Sequence, residues 1–241
     1  MTLIRATALL PVLLLLANYS TSFYNKQTIG QGEPVVIVDV IPPVNSSELY
    51  NEWNLESAGL SKNAFIMAQK GYARLAAKHL LRNTNLLTII DYSKPSTQKR
   101  LFVLDMSSGK ILFNSLVAHG RNSGQNFART FSNQQRSFKT SPGFYITGNT
   151  YNGGNGYSLR LKGCEKGVND KAYSRAIVFH GADYVSEDFI RKNGYLGRSY
   201  GCPVVPKELN KKIIDVIKDG SCMFLYAPLK NYSSRSKILN S

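Results

Sequence analysis

The spacing of hydrophobic positions predicts one long helix ahead of a series of short strands. Between Leu60 and Arg82, apolar side chains recur every three or four residues, which places them on one face of a helix. Ser61 stands at the start of this stretch and is a residue type that favours the N-cap position. Gly71 interrupts the helix, at a cost of roughly 1 kcal/mol relative to alanine. The pattern therefore predicts an amphipathic helix with one weak point.

From Leu86 onward, short runs rich in β-branched and aromatic residues alternate with turn sequences that contain glycine, proline and serine. Runs of this kind predict strands, and the turn residues predict hairpins between them. A further helix is predicted from Pro206 to Lys218, where isoleucines fall on one face. Strands at this spacing indicate a mainly β (α+β) domain, a sandwich or barrel with an N-terminal helical arm. The runs predicted to form strands are 86–92, 100–105, 111–118, 142–148, 157–161, 175–179 and 221–227.

The first 22 residues have the organisation of an export signal. A short basic start is followed by an apolar run and then by the small residues Ser20, Thr21 and Ser22. The apolar run, of about 12 residues, is too short to cross a bilayer as a helix. We therefore expect a cleaved signal peptide over residues 1–22, a periplasmic or cell-wall location, and no stable membrane span after cleavage. An uncleaved anchor is the alternative.

The remaining chain is predicted to divide into three parts. Residues 23–57 contain several prolines and favour an irregular segment. Residues 58–228 contain the predicted leading helix and all the predicted strands, which indicates a single folded domain. Residues 229–241 are predicted to form a basic C-terminal tail.

The chain is strongly basic, with 30 Lys and Arg against 15 Asp and Glu, a formal net charge of +15. Such a charge attracts polyanions. Nucleic acid is the usual partner of a basic protein, but an exported protein rarely meets it, so we expect no nucleic-acid partner. The cell wall and anionic lipids are partners that an exported protein does meet. Solubility alone is an equally simple explanation of the charge.

The chain has three cysteines, Cys164, Cys202 and Cys222. Outside the cytoplasm, an odd number leaves one thiol free or paired with another molecule. A bridge between Cys164 and Cys222 that leaves Cys202 free is one possibility, and two buried thiols are another. The sequence has neither a Cys-x-x-Cys pair nor a Cys/His spacing typical of metal sites.

Two polar clusters lie where predicted strands and turns end. His180 follows the apolar run 175–179, and Cys202 lies in the turn-like sequence Ser199-Tyr200-Gly201-Cys202-Pro203. The glycine lets the backbone approach a ligand, and the N–H groups of Gly201 and Cys202 could face a developing oxyanion. A nearby imidazole would lower the pKa of the thiol and carry its proton. Spacing alone does not separate a catalytic cysteine from a buried structural thiol.

Together with longer runs, these clusters resemble the L,D-transpeptidase (YkuD-type) family, in particular its branch of murein L,D-transpeptidase catalytic domain proteins. The likeness rests first on His180-Gly181 followed downstream by Ser199-Tyr200-Gly201-Cys202. It covers roughly residues 58–228, most of the chain that follows the predicted signal. Further similar runs lie at 117–124, 131–133, 141–145, 158–161 and 175–185.

The resemblance implies a cysteine acyltransferase that acts on peptidoglycan stem peptides and needs no metal or cofactor. Cys202 would attack the peptide carbonyl, and His180 would protonate the leaving D-residue. An amine acceptor would then complete a cross-link, or water would complete a carboxypeptidase reaction. The Gly181 carbonyl, or the turn near Ser199, would orient the histidine. The N–H groups of Gly201 and Cys202 would form the oxyanion hole.

The sequence departs from the commoner motif of this family at two positions. Tyr200 replaces a second histidine, and Val204 replaces an arginine two residues after the cysteine. Arg198 could supply the missing cation or brace the loop. We expect Arg198 and Tyr200 to contact the substrate.

Three further residues are candidates for substrate binding. His119 and Arg121 follow a predicted strand, so Arg121 could bind a stem-peptide carboxylate while His119 lines the cleft. Alternatively, His119 is a structural residue that caps the strand. Tyr184 could donate to the oxyanion or pack beside the cysteine.

Two other function classes fit the sequence less well. A non-catalytic peptidoglycan-binding module would keep the fold, and the absent arginine favours it. A papain-like protease has its cysteine before its histidine and a helix opening at the cysteine. Here His180 comes first and Pro203 follows the cysteine.

Overall fold

The structure is a computed structural model that describes residues 45–240 of the 241-residue chain. The predicted signal peptide and most of the segment predicted to be irregular lie outside these residues. Within 45–240, no helix combines the length and the apolar character that crossing a bilayer requires.

The described residues form six helices, one 3-10 turn and eight strands. In chain order these are α1 (Ser46–Glu52), α2 (Lys62–Ala77), β1 (Leu86–Asp91), β2 (Leu101–Asp105), β3 (Ile111–Ser115), the 3-10 turn Arg121–Ser123, β4 (Gly143–Gly153), β5 (Gly156–Gly163), β6 (Val178–Ala182), α3 (Glu187–Asn193), β7 (Val204–Pro206), α4 (Lys207–Ile217), β8 (Cys222–Tyr226), α5 (Tyr232–Arg235) and α6 (Lys237–Asn240).

All eight strands join one sheet, in the order β3-β2-β1-β8-β4-β5-β6-β7. Neighbours are antiparallel except β1 with β8 and β6 with β7, which are parallel. An isolated bridge between Ala118, just after β3, and Val204 on β7 connects the two edges of the sheet. The sheet thus closes almost completely on itself, and the predicted mainly β, barrel-like fold with a helical arm is confirmed.

The central strands are buried on both faces, which explains their continuous hydrophobic sequence. On β1, Leu87 and Ile89 belong to the cluster that packs against the helices, together with Phe224 of β8. Leu86 and Ile90 point to the opposite face, into the barrel-side core. Side chains alternate between the faces of a strand, so one run of apolar residues serves both cores.

Helix α2 packs against the outer face of the sheet at Gly71. A Cβ atom at this position would lie 2.0 Å from Cζ of Phe144, so the aromatic ring occupies the space of a side chain. Ser61 precedes the helix but its hydroxyl makes no capping bond; its N–H donates to Asp91 instead. Gly71 is therefore required for close packing of the helix on Phe144, and its predicted propensity cost stays a prediction.

Both chain segments that flank the sheet are more ordered than predicted. Within 23–57, residues 46–52 form α1, because the Asn45 side chain caps it by accepting from the Ser47 N–H at 3.0 Å. The predicted tail 229–241 contains α5 and α6, with Tyr232 and Leu239 buried. The predicted irregular structure is thus wrong for residues 46–52.

The predicted strand 175–179 begins later than its hydrophobic sequence indicates. Ala176 has a left-handed backbone (φ 53°), which no strand accommodates, and β6 starts at Val178. At this bend the backbone of Ala176 lies close to Cys202: the Cys202 Sγ is 3.8 Å from the Ala176 carbonyl oxygen.

The sheet register separates Cys164 from Cys222. The Cys164 N–H donates to the Phe144 carbonyl on β4, whereas Cys222 pairs with Ile146 from the other side of β4. Two strand spacings, roughly 9–10 Å, therefore separate the cysteines, more than a disulfide spans. All three cysteines are free thiols, so the alternative with a bridge is excluded in this structure.

Candidate active site

Parallel pairing of β6 with β7 brings His180 and Cys202 to one cleft. His180 lies opposite Val204, and Cys202 comes two residues before that partner. The cysteine therefore lies beside Val178, whose N–H points at the sulfur with an N···Sγ distance of 3.4 Å. Both side chains line a cleft of about 700 Å³. The structure thus brings together the two residues that the sequence predicts to react.

Positive charge and aromatic rings dominate the lining of this cleft. Among the described residues that line it are three arginines but no aspartate or glutamate. Fixed cations without nearby carboxylates favour an anionic ligand. The arginines are Arg121, Arg175 and Arg198, and the aromatic residues are Tyr184, Phe189, Tyr195 and Tyr200.

The Cys202 thiol is buried, with 8% of the residue exposed. Burial raises the pKa of Cys202 because it penalises the thiolate. The Val178 N–H and the Arg175 guanidinium act in the opposite direction. The resting site therefore holds a neutral thiol with two groups in place that stabilise the thiolate once it forms.

The His180 ring is held by the backbone that follows it. Its Nδ1 lies 3.1 Å from the Gly181 carbonyl oxygen, the contact that the family resemblance implies. A carbonyl only accepts, so Nδ1 carries the proton and Nε2 keeps a lone pair. Burial lowers the pKa of His180, although the Gly181 carbonyl opposes this shift. The imidazole is thus neutral and able to accept a proton at Nε2.

Ser199 shapes the turn that carries the cysteine. Its Oγ donates to the Cys202 carbonyl at 2.6 Å and accepts the Gly201 N–H at 3.0 Å. The Gly201 N–H is therefore already bonded, which differs from the predicted free oxyanion donor. The backbone N–H of Cys202 helps to lower the pKa of its own thiol against the effect of burial. Ser199 acts on the turn and not on His180.

His119 does not line the cleft that holds Cys202 and His180. Its side chain is fully buried, with Nδ1 2.8 Å from Nη2 of Arg100 and Nε2 3.3 Å from the Gly124 carbonyl. Burial, followed by the Arg100 charge, lowers the pKa of His119 to about 3. The ring is therefore neutral, accepts from Arg100 and donates to Gly124. The structural alternative is the one that the contacts support.

The other four predicted substrate residues all line the cleft. Arg121 lies over the ring of Tyr200, 5.8 Å from its centroid, and Tyr200 is 64% exposed. Arg198 donates to the Gly124 carbonyl at 3.2 Å, so it braces the loop as well as facing the cleft. Burial raises the pKa of Tyr184 to about 12, with a smaller contribution from Cys202. Their roles in substrate binding stay predictions.

Arg175 is a cleft residue that motif spacing does not reveal. It lies within the run 175–185 that carries part of the family resemblance, but it precedes a strand and borders no reactive residue in sequence. In the structure its guanidinium donates to four acceptors. These are the Ser132 carbonyl, Ser141 Oγ, Ser137 Oγ and the Lys139 carbonyl.

One known protein family matches most of this chain. The L,D-transpeptidase catalytic domain family matches residues 56–226 of the chain. The chain belongs to the L,D-transpeptidase catalytic domain family. These are cysteine-dependent enzymes that modify peptidoglycan, and the match includes both His180 and Cys202. No curated protein matches the sequence.

Several solved structures resemble this chain at low sequence identity. The enzyme from Mycobacterium smegmatis is 13% identical, with 59% of each chain covered and a TM-score of 0.37. The enzyme from Xylanimonas cellulosilytica is 15% identical, over 77% of this chain and 100% of that chain, with a TM-score of 0.35. The helical cell shape determining protein Pgp2 from Campylobacter jejuni is 17% identical, over 66% and 54%, with a TM-score of 0.41. The protein thus spans about three fifths of the mycobacterial L,D-transpeptidase.

The position where the commoner L,D-transpeptidase motif has arginine faces the core in this chain. Val204 is fully buried, lies on β7 and belongs to the barrel-side cluster. A charged side chain could not be accommodated there without a partner. Between residues 45 and 240, no group of three or more His, Cys, Asp and Glu side chains is arranged to hold a metal ion.

Proposed function

We propose that the protein is a peptidoglycan L,D-transpeptidase that forms an acyl-enzyme on Cys202 and transfers the acyl group to an amine. The observation that carries the proposal is the pairing of Cys202 and His180 in one cleft, with the histidine held by the Gly181 carbonyl. That contact leaves Nε2 as a base within the same cleft, as an activated cysteine requires.

In the acylation step, His180 Nε2 takes the Cys202 proton as Sγ attacks the carbonyl that precedes the terminal D-residue. The developing oxyanion faces the Cys202 N–H, and the Tyr184 hydroxyl is the second donor. With its pKa raised to about 12, Tyr184 keeps its proton at neutral pH and can donate. His180 then gives its proton to the departing amine, and a thioester remains.

In the transfer step, a second amine attacks the thioester and His180 removes its proton. The amide forms as the C–S bond breaks, and the thiolate recovers a proton. If water attacks instead, the same site is an L,D-carboxypeptidase. The two outcomes share every residue and differ only in the acceptor.

The charge of the cleft fits a donor that carries carboxylates. A stem peptide ends in a free carboxylate, and Arg121 and Arg198 stand where they could bind it, while Tyr200 offers an exposed aromatic surface. We further propose that residues 1–22 direct export, that residues 58–228 form the catalytic domain, and that the protein works in the periplasm or at the cell wall.

Defined muropeptides test the proposal. The protein without residues 1–22 is incubated with a tetrapeptide donor and a D-amino acid acceptor, and products are identified by mass spectrometry. We expect exchange or cross-linked products from the parent protein and none from Cys202→Ala. His180→Ala should lose about 10²–10⁴-fold in rate, the usual contribution of a general base. Cys164→Ala, a thiol outside the cleft, is the matched control and should retain activity.

Three other results would redirect the proposal. Products shortened by one residue, with no exchange, identify a carboxypeptidase. Retention on purified sacculi without any product identifies a non-catalytic binding module. Activity that survives Cys202→Ala but not Cys164→Ala refutes the assignment of the nucleophile.

A further inference from the structure

Residues 132–141, here called the cleft loop, form the wall against which the catalytic turn packs. Thr140 Oγ1 donates to the Gly201 carbonyl at 3.3 Å. Gly201 has φ 125°, and a Cβ there would lie 2.8 Å from the Lys139 carbonyl oxygen. The turn that carries Cys202 is thus in direct contact with the backbone of the cleft loop, so its position depends on where that loop lies.

One guanidinium ties the cleft loop at both ends and in its middle. Arg175 Nη1 donates to the Ser132 carbonyl at 2.9 Å and to Ser141 Oγ at 2.5 Å. Nη2 donates to Ser137 Oγ at 3.2 Å and to the Lys139 carbonyl at 2.7 Å. The planar fork of arginine can serve four acceptors in these directions, whereas a lysine ammonium acts as a compact point charge on a flexible stem.

The cleft loop needs such support because its backbone is strained. Arg136 and Phe138 have left-handed backbones, with φ of 54° and 55°. This region is unfavourable for residues with bulky side chains and persists where surrounding contacts impose it. Arg175 supplies contacts of this kind, because it donates hydrogen bonds to residues on either side of Arg136 and Phe138.

Arg175 also faces the reactive sulfur. It lines the cleft with Cys202, and its charge lowers the pKa of the thiol against the effect of burial. Arg175 is half-buried, whereas Arg121 and Arg198 are exposed, so solvent screens its charge less. The titratable and charged groups that face Cys202 or line its cleft are Tyr92, Arg121, Arg175, His180, Tyr184, Tyr195, Arg198 and Tyr200.

We infer that Arg175 is a positioning residue of the active site, which fixes the cleft loop against the Cys202 turn and keeps a permanent positive charge beside the sulfur. The inference deepens the proposed function and rests on it for the identity of the reaction. The inference predicts two effects, an ordered cleft loop and a stabilised Cys202 thiolate, and both can be measured without any peptidoglycan substrate.

Alkylation of Cys202 by iodoacetamide tests the charge. The rate is followed against pH by mass spectrometry of the Cys202 peptide, and the midpoint of the profile reports the pKa of the thiol. We expect Arg175→Gln to move the midpoint upward and to slow alkylation at neutral pH by about tenfold, since the thiolate is the nucleophile. Arg175→Lys should keep the midpoint close to that of the parent. Arg160→Gln removes another half-buried arginine, which lies over Tyr151 and outside the cleft, and should leave the profile unchanged.

Hydrogen exchange over residues 132–141 tests the loop. We expect faster exchange there in both Arg175→Gln and Arg175→Lys, because neither side chain can serve four acceptors, and no change in Arg160→Gln. If Arg175→Gln does not fold, Arg175→Lys decides alone: faster loop exchange with a retained midpoint supports the inference. A loop and a profile that match the Arg160→Gln control would overturn it. If the Arg175 variants change the alkylation midpoint and the loop exchange as expected, but the parent protein does not transpeptidate, only the proposed function is refuted.

Discussion

At the scale of single residues, burial keeps both reactive groups neutral before substrate arrives. It raises the pKa of the Cys202 thiol and lowers the pKa of the His180 imidazole. A thiolate–imidazolium pair is therefore disfavoured in the resting cleft. In the mechanism we propose, the proton moves only when Cys202 attacks a carbonyl in the cleft, so a neutral thiol between turnovers would limit oxidation of the cysteine.

His119 gives the first prediction, a loss of stability in acid. Its folded pKa of about 3 lies below the ordinary value of 6.5, so the unfolded state binds the proton more readily. The stabilisation is complete above pH 6.5 and is lost as the pH falls from 6.5 towards 3. This single group contributes a slope of up to about 1.4 kcal/mol per pH unit. Denaturant unfolding at several pH values measures it.

The variant His119→Gln isolates this contribution. Glutamine can still accept from Arg100 but does not titrate, so the free energy of unfolding should depend less on pH between 6.5 and 3. His79→Asn is the control, because His79 is exposed and asparagine tolerates its left-handed backbone (φ 53°). A parent-like slope in His119→Gln would contradict the prediction.

The sequence predicts that His180 and Cys202 lie together better than it predicts which groups their neighbours contact. His180 and Cys202 follow from their motifs, and the Gly181 contact lies one residue away. His119 has an equally suggestive motif, but its buried partner, Arg100, cannot be read from the sequence because the contact is formed by folding. The same holds for the Gly201 N–H, which the Ser199 side chain occupies.

At the scale of elements, the contact of α2 with β4 leads to the second prediction. Gly71→Ala should lower the free energy of unfolding by about 1–3 kcal/mol, because the new methyl group would overlap the Phe144 ring. Intrinsic helix propensity alone predicts the opposite, a gain of about 1 kcal/mol. Urea unfolding distinguishes the two.

Ala73→Gly on the same helix is the control for propensity. Ala73 is exposed, so this change should cost about 1 kcal/mol without any packing effect. Alkylation of Cys202 should be unchanged in both variants, because α2 lies on the face of the sheet remote from the barrel-side core. A more stable Gly71→Ala protein would show that the helix can move away from the ring.

Elements with strong hydrophobic patterns are predicted from the sequence, and elements without them are not. Helix α3 has no buried residue, so it leaves no periodic signal, although Ser186 caps it through a bond from the Phe189 N–H. Strand β7 has only three residues, too few for any pattern. Helices α5 and α6 are held through the buried Glu165 carboxylate, which accepts from Tyr232 and Ser236.

At the scale of the whole molecule, three of the 30 Lys and Arg residues line the cleft that holds Cys202, and no Asp or Glu among the described residues lines it. The third prediction compares iodoacetate, an anion, with neutral iodoacetamide. The ratio of their alkylation rates, iodoacetate over iodoacetamide, should be higher for Cys202 than for free cysteine. The three cleft arginines attract the anion, and salt screens that attraction. The ratio of the two rates should fall towards that of free cysteine as NaCl is raised to about 0.5 M, where screening is nearly complete.

The double variant Arg121→Gln, Arg198→Gln checks the source of this effect. It should lower the rate ratio at low salt and weaken the dependence on salt, while Arg160→Gln should do neither. A ratio for the parent protein that matches free cysteine at every salt concentration would show that the cleft charges are balanced elsewhere.

The order of strands could not be predicted from sequence, because it depends on pairings between distant parts of the chain. Leu87 on β1 pairs with Cys222 on β8, and local patterns contain no information about such a partner. Burial of the central strands on two faces makes the difficulty greater, since continuous apolar runs do not show which face meets the helices.

The central place of β8 has a consequence for how the protein is made. Strands β3-β2-β1 and β4-β5-β6-β7 are two half-sheets, and the last strand in the chain is the one that joins them. Until synthesis reaches residue 226, each half exposes an unpaired strand edge, β1 on one side and β4 on the other. Incomplete chains that end before β8 are therefore prone to aggregation and proteolysis, although they already contain His180 and Cys202. Folding is a late event, governed by pairing between the two ends of the domain, and we expect it to be slow for a chain of this length.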